Sequence, residues 1–229
     1  MKILSLECSA APASCAVYEN GVVIASDFTN VKLTHSQTLM PMTENMLKCA
    51  NISANDIDAL AISNGPGSFT GIRIGISAVK GLAAARNLPC YPVSTLRAIA
   101  ENFSDCDCTV CAVMDARCNQ VYNALFRIEN GIVTRLCEDR AIIIDELLKE
   151  LKSLSGDIII AGDGTTLFEE IEGGNIRLAD EACRYQTAVG VAKAAKDYEA
   201  ISPDKLMPFY LRLPQAEREL KAKQAKGEA

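Results

Sequence analysis

Two carboxylates, Glu7 and Asp115, each close an apolar run and head a polar loop, Glu7-Cys-Ser-Ala and Asp115-Ala-Arg-Cys. In a nucleotide-hydrolysing enzyme of two facing lobes, carboxylates at the ends of central strands position magnesium and the loops beyond them hold phosphate. Arg117 has the planar fork that takes an anion bidentately. The first loop, however, contains no glycine, which keeps its backbone amides from approaching phosphate closely. The alternative is that Glu7 and Asp115 only accept hydrogen bonds from the amides of their own loops. His35 is the single histidine, so no imidazole pair exists to ligate a metal, and no G-x-S-x-G elbow marks a serine for it to serve. A lone histidine at a helix start caps or meets solvent; the alternative is a partner contact. The ten cysteines read as small reduced hydrophobes. Cys106, Cys108 and Cys111 cluster, but no second C-x-x-C follows at finger spacing, and Cys111 falls inside a strand.

The densest signal is Asn64-Gly-Pro-Gly-Ser-Phe-Thr-Gly-Ile-Arg-Ile-Gly75. It follows a buried-strand run at 57–63. Gly65-Pro66-Gly67 breaks the chain, and Ser68 stands where a helix N-cap belongs. Beyond it Ile72, Ile76, Val79 and Ala83 make an apolar stripe. Gly71, Gly75, Ala78, Leu82 and Ala85 make a second stripe nearly free of side-chain bulk. A glycine-rich turn into a helix can cradle phosphate, but neither G-x-x-x-x-G-K-[ST] nor G-x-G-x-x-G is present in full. The smooth stripe serves either close packing on the chain's own sheet or packing on another chain.

Strands are expected at 2–7, 14–18, 22–28, 57–63 and 90–93, with a capping box at Thr34 and Gln37 opening a helix to Ala50 and a helix capped by Ser94 closing this half. Asn20-Gly21 and Asn130-Gly131 are hairpin signals. The second half repeats the order: strands at 109–115, 120–128 and 132–137, a helix capped by Asp145, a strand at 157–161, a turn at Gly162-Asp163-Gly164 toward a short helix around Leu167, an edge strand at 176–178, and a helix capped by Thr187. Each half reads strand-strand-strand-helix-strand-helix-strand-helix, a duplication with a period far longer than that of stacked repeats. The fold class is therefore α/β with two lobes facing across a cleft: 1–104, then 105–205, then a tail 206–229 with a charged helix at 214–226. At 229 residues, 49% hydrophobic and 23% charged, the composition is that of a globular protein. The net charge of −6 argues against unaided grip on nucleic acid. There is no apolar run of roughly 18 residues, and Glu7 interrupts the one signal-like start, so a cytoplasmic protein is expected.

Gly65-Pro-Gly-Ser-Phe-Thr-Gly-Ile-Arg-Ile-Gly resembles the signature of the TsaB (YeaZ) family of the tRNA threonylcarbamoyladenosine machinery. Leu4-Ser-Leu-Glu-Cys-Ser, His35-Ser-Gln with Leu39-Met-Pro41, Val93-Ser-Thr-Leu96, Met114-Asp-Ala-Arg117 with Val121-Tyr122, and Pro208-Phe-Tyr-Leu-Arg212 fall where that family places them. The likeness covers essentially the whole chain; Glu7-Cys8 departs from the expected Asp-Thr pair. The resemblance implies a two-lobed actin-like (ASKHA, ribonuclease H-like) fold, also called glycoprotease-like or M22-like. It further implies a scaffold without chemistry of its own, in the complex that forms N6-threonylcarbamoyladenosine at position 37 of tRNAs reading ANN codons. Such a chain heterodimerises with the catalytic TsaD subunit, which bears an H-x-x-x-H metal site, through the first two helices of each N-terminal lobe. TsaE joins as an ATPase. ATP or ADP and the metal then belong to partner subunits, tRNA is met only through the complex, and the lone chain forms a homodimer.

On that basis the partner face is expected on 34–50 and 68–85, lined by His35, Leu39, Met42, Met46, Phe69, Gly71, Ile72, Gly75, Ile76, Ala78, Val79 and Leu82. Gly75→Leu should weaken association by about 1–3 kcal/mol while the chain stays folded. The competing expectation is an enzyme in its own right, an ATP-dependent phosphotransferase or M22-like peptidase using Glu7 and Asp115. The missing histidines and glycine-poor loops count against it.

Overall fold

The computed structural model describes residues 1–212 except 32, 170, 172 and 173; the helix expected at 214–226 lies outside the described residues. Both asparagine-glycine pairs take positive φ, 49° and 90° at Asn20 and Gly21, 51° and 77° at Asn130 and Gly131. That twist matches the flanking strands of a two-residue hairpin. The first pair joins β2 (Ala13–Glu19) to β3 (Val22–Thr29), and β2 runs antiparallel to β1 (Lys2–Glu7). Strands β4 (Ala59–Gly65) and β5 (Cys90–Ser94) add in parallel, giving the order β3-β2-β1-β4-β5. The second sheet repeats this order with β6 (Cys108–Asp115), β7 (Gln120–Glu129), β8 (Ile132–Arg135), β10 (Ile158–Ala161) and β11 (Ile176–Leu178), as β11-β10-β6-β7-β8. One strand was not foreseen: β9 (Arg140–Ile143) is only four residues long and pairs with the far half of β7.

Helices α1 (His35–Cys49) and α2 (Phe69–Ala84) close the outer face of the first sheet, where Leu39, Ile72 and Val79 meet Leu6 and Ile62. Helix α4 (Ile144–Ser153) does the same for the second through Leu147 and Leu151. Two further helices form the layer between the sheets, and they are exchanged. Helix α3 (Thr95–Ala100) follows the first sheet in sequence but packs Leu96 and Ile99 on Val110, Ala112 and Phe126 of the second. Helix α5 (Ala188–Ala194) follows the second sheet yet packs Val191 and Ala194 on Ile3, Ala59 and Ala61 of the first. A buried valine or isoleucine is worth about 1.5–3 kcal/mol, so each half depends on a helix from the other.

Ser68, Ser94 and Thr187 cap their helices, accepting from the amides of Gly71, Arg97 and Gly190 at 3.2, 3.3 and 3.0 Å. Two expected caps are corrected. Thr34 makes no side-chain cap bond, its hydroxyl lying 3.1 Å from that of Ser36. Asp145 sits within the first turn of α4, after Ile143 at the cap. Among the described residues no helix is long and apolar enough to cross a membrane.

Candidate functional site: the interlobe cleft and helix α2

Side chains alternate along β1: Leu4 and Leu6 join the α1/α2 core, while the Ser5 hydroxyl donates to the Ala188 carbonyl of α5 at 2.7 Å. Glu7 therefore shares the Ser5 side, between the sheets. The loops after β1 and β6 meet in a cleft of about 670 Å³ lined by Ser9, Asp115, Arg117, Tyr122, Asp163 and Tyr210, among others. The two loops are built alike. The Ser9 amide donates to Glu7 Oε1 at 2.6 Å, and the Arg117 amide donates to Asp115 Oδ1 at 2.7 Å. Both carboxylates thus hold the amide two residues on, and the Ser9 hydroxyl adds a second bond to Glu7 Oε1 at 2.6 Å.

Glu7 is fully buried, and among the described residues its Oε2 has no partner. Burial pushes its carboxyl up to about 7, with a smaller push from Asp163, against the lowering effect of the Ser9 bonds. Asp163 is likewise raised to about 7, by burial and then by the charge of Asp115, and its Oδ1 also has no partner among the described residues. Asp163 is the cleft residue that sequence reasoning passed over, reading Gly162-Asp163-Gly164 as a turn. The signal lay in the glycines. Gly162 has φ 120°, and a Cβ there would collide with the Val113 carbonyl. Only glycine lets the chain cross β6 closely enough to set Asp163 in the cleft.

The fold expected from the sequence implies a nucleotide with its cation in this cleft, and the residues do not fit one. The Ser9 amide is committed to Glu7 and the Ser68 amide donates to the Ser9 carbonyl at 2.6 Å, so neither is free to meet a phosphate oxygen. Among the described residues no three His, Cys, Asp or Glu side chains are placed to share a metal ion. Cys108 and Cys111 belong to cores on opposite faces of the second sheet, so they cannot ligate one ion together. His35 Nε2 lies 2.7 Å from the Ala10 carbonyl oxygen. It ties the start of α1 to the β1–β2 loop.

The expected partner face is corrected in part. Leu39, Met46, Gly71, Ile72, Gly75, Ile76 and Val79 are buried beneath α1 and α2, out of reach of any other chain. A Cβ on Gly71 would strike the Cys8 carbonyl oxygen, and one on Gly75 would come within 2.7 Å of Cys8 Sγ and 2.9 Å of Ile62 Cδ1. The glycines let α2 lie close on its own sheet. His35, Met42, Phe69, Ala78 and Leu82 are half-buried. The surface of α2 carries Thr70, Arg73, Ser77, Gly81 and Ala84 instead, all exposed.

A family model described as "TsaD: tRNA N6-adenosine threonylcarbamoyltransferase" matches residues 29–223. The chain is 30% identical over 221 residues to the tRNA threonylcarbamoyladenosine biosynthesis protein TsaB of Bacillus subtilis, covering 95% of this chain and 96% of that one. It is 38% identical over 168 residues to the Escherichia coli TsaB, 72% of each. Among solved structures, YeaZ from Pseudomonas aeruginosa superposes with a TM-score of 0.77 at 26% identity, over 92% of this chain and 99% of that one. Component A of the Acidaminococcus fermentans (R)-2-hydroxyglutaryl-CoA dehydratase reaches 0.50 at 13% identity, over 86% and 98%, and extends the likeness to the fold alone. The two mixed sheets and their neighbours are those of the actin-like fold.

Proposed function

We propose, from the premise that this chain belongs to the TsaB (YeaZ) family and so takes part in tRNA threonylcarbamoyladenosine biosynthesis, that it works as a scaffold and activator without catalysis of its own. It heterodimerises with the catalytic TsaD subunit, and tRNA is met through the complex. TsaE is a further partner, ATP or ADP and the metal belong to the partners, and the lone chain pairs with itself.

The observation that carries this reading is the outer stripe of α2. Thr70, Arg73, Ser77, Gly81 and Ala84 recur at intervals of three and four residues, and a Cβ on Gly81 would meet nothing within 4 Å. Small residues on an exposed helical face let a second helix approach closely. Val31 and Leu33 are exposed and line a pocket with Thr70 at the start of α2, and Met40 is exposed on α1, supplying apolar area. The match to a model named for TsaD supports a look-alike partner whose corresponding helices meet these across a pseudo-twofold axis.

The test is titration of TsaD with the wild-type chain and with Gly81→Arg. The variant should stay folded and bind at least tenfold more weakly, about 1.4 kcal/mol. Unchanged binding removes α2's outer face from the interface. No association at micromolar concentrations removes the scaffold reading. ATP or peptide hydrolysis by the isolated chain, lost in Asp115→Ala, would put the enzyme reading in its place.

A further inference from the structure

Residues 207–212 cross the mouth of the cleft and are anchored on both sides of it. Toward the first sheet, the Phe209 amide donates to the Asn64 carbonyl at 2.7 Å and Asn64 Nδ2 donates to the Met207 carbonyl at 3.3 Å. Tyr210 stacks on Phe69 with ring centroids 4.7 Å apart, and Arg73 Nε donates to its hydroxyl at 2.8 Å. Toward the second sheet, Arg212 donates to the Ala116 carbonyl at 2.9 Å. The approach is close enough that a Cβ on Gly65 would collide with the Phe209 carbonyl oxygen. Phe209 lines both the 670 Å³ cavity and a second of about 430 Å³ that includes Ser94, Arg97 and Tyr198. The segment is a wall dividing the space between the lobes.

The far anchor is set on a strained loop. Arg117, Cys118 and Asn119 have φ of 64°, 57° and 56°, three non-glycine residues in succession in the left-handed region. Such a run persists only where surrounding contacts over-determine it. Here those contacts are Arg212 on the Ala116 carbonyl, Asp115 on the Arg117 amide, and the Ile144 amide on the Asn119 carbonyl at 3.3 Å.

We propose that residues 207–212 are a strap that closes the cleft from within and joins the outer face of α2 to the β6–β7 loop, so that displacing Arg73 or Tyr210 is felt at residues 115–119. The chain itself then supplies one wall of the 670 Å³ cleft. The strap stands whether or not the outer face of α2 meets a partner.

Hydrogen exchange on the full-length chain tests it, comparing wild type with Tyr210→Ala/Arg212→Ala and with Arg73→Ala. None of these three side chains belongs to the apolar cores, so the variants should fold. Amides at 115–119 and 163–166 should exchange at least about tenfold faster in the double variant and by a smaller factor in Arg73→Ala, with β1 and β10 unchanged. Acceleration confined to 207–212 would make the segment a passive tail and overturn the proposal. Loss of protection throughout β1 and β10 would overturn it equally, since a strap lies outside both cores.

Discussion

Glu7→Gln isolates the energetic consequence of placing an acid at the base of the cleft. The wild-type carboxyl releases its proton near 7 in the folded chain, against 4.5 for an ordinary glutamate. Below 4.5 it is protonated in both states and has no effect on stability. Between 4.5 and about 7 the unfolded chain gives up the proton while the folded chain retains it, so stability falls as pH rises through that window and levels off above it. At about 1.4 kcal/mol per pH unit, the interval is worth about 3 kcal/mol. A glutamine oxygen keeps both bonds from Ser9, but its amide takes the position of the unpartnered Oε2, at a cost of about 1 kcal/mol. The variant should therefore exceed wild type by about 2 kcal/mol at pH 8, or roughly 4–8 °C in Tm for a chain of this size. Near pH 4.5 it should be no more stable than wild type. Urea unfolding at intervals from pH 4.5 to 8 measures this. Parallel profiles, or a variant weaker than wild type at pH 8, would refute the assignment of a strained, half-ionised acid beneath Ser9.

Gly75→Leu should lower the unfolding free energy by about 1–3 kcal/mol or more, because its side chain has no room beside Cys8 and Ile62. Leucine at exposed Gly81 should be neutral or stabilising by about 0.5–1 kcal/mol, and urea midpoints compare the two directly. Ile99→Ala, in the helix that follows the first sheet, should cost about 2–5 kcal/mol. Native-state hydrogen exchange should show the larger loss in β6, because Ile99 packs with Val110 and Ala112.

The amino-acid sequence alone determined what local chemistry can specify. Hairpins at Asn20-Gly21 and Asn130-Gly131 follow from the φ that asparagine and glycine tolerate, and the caps at Ser68, Ser94 and Thr187 from a hydroxyl set within reach of an orphan amide. The duplicated strand order and the family signature were legible for the same reason, being written in contiguous residues. Tertiary structure decided what depended on distant residues. Helical periodicity groups Gly71 with Gly75 and Ile72 with Ile76, but does not say whether a bare stripe faces inward or outward; the sheet laid under α2 by β1 and β4 buried the first stripe together with Gly71 and Gly75, and left Ala85 at the exposed end of the second. The packing of α5 on the first sheet, the setting of Asp163 beside β6 and the strap at 207–212 each join segments far apart in sequence, and α3 turns forward onto strands that follow it. Burial and hydrogen bonding act across space, so their outcome is set only when those segments meet.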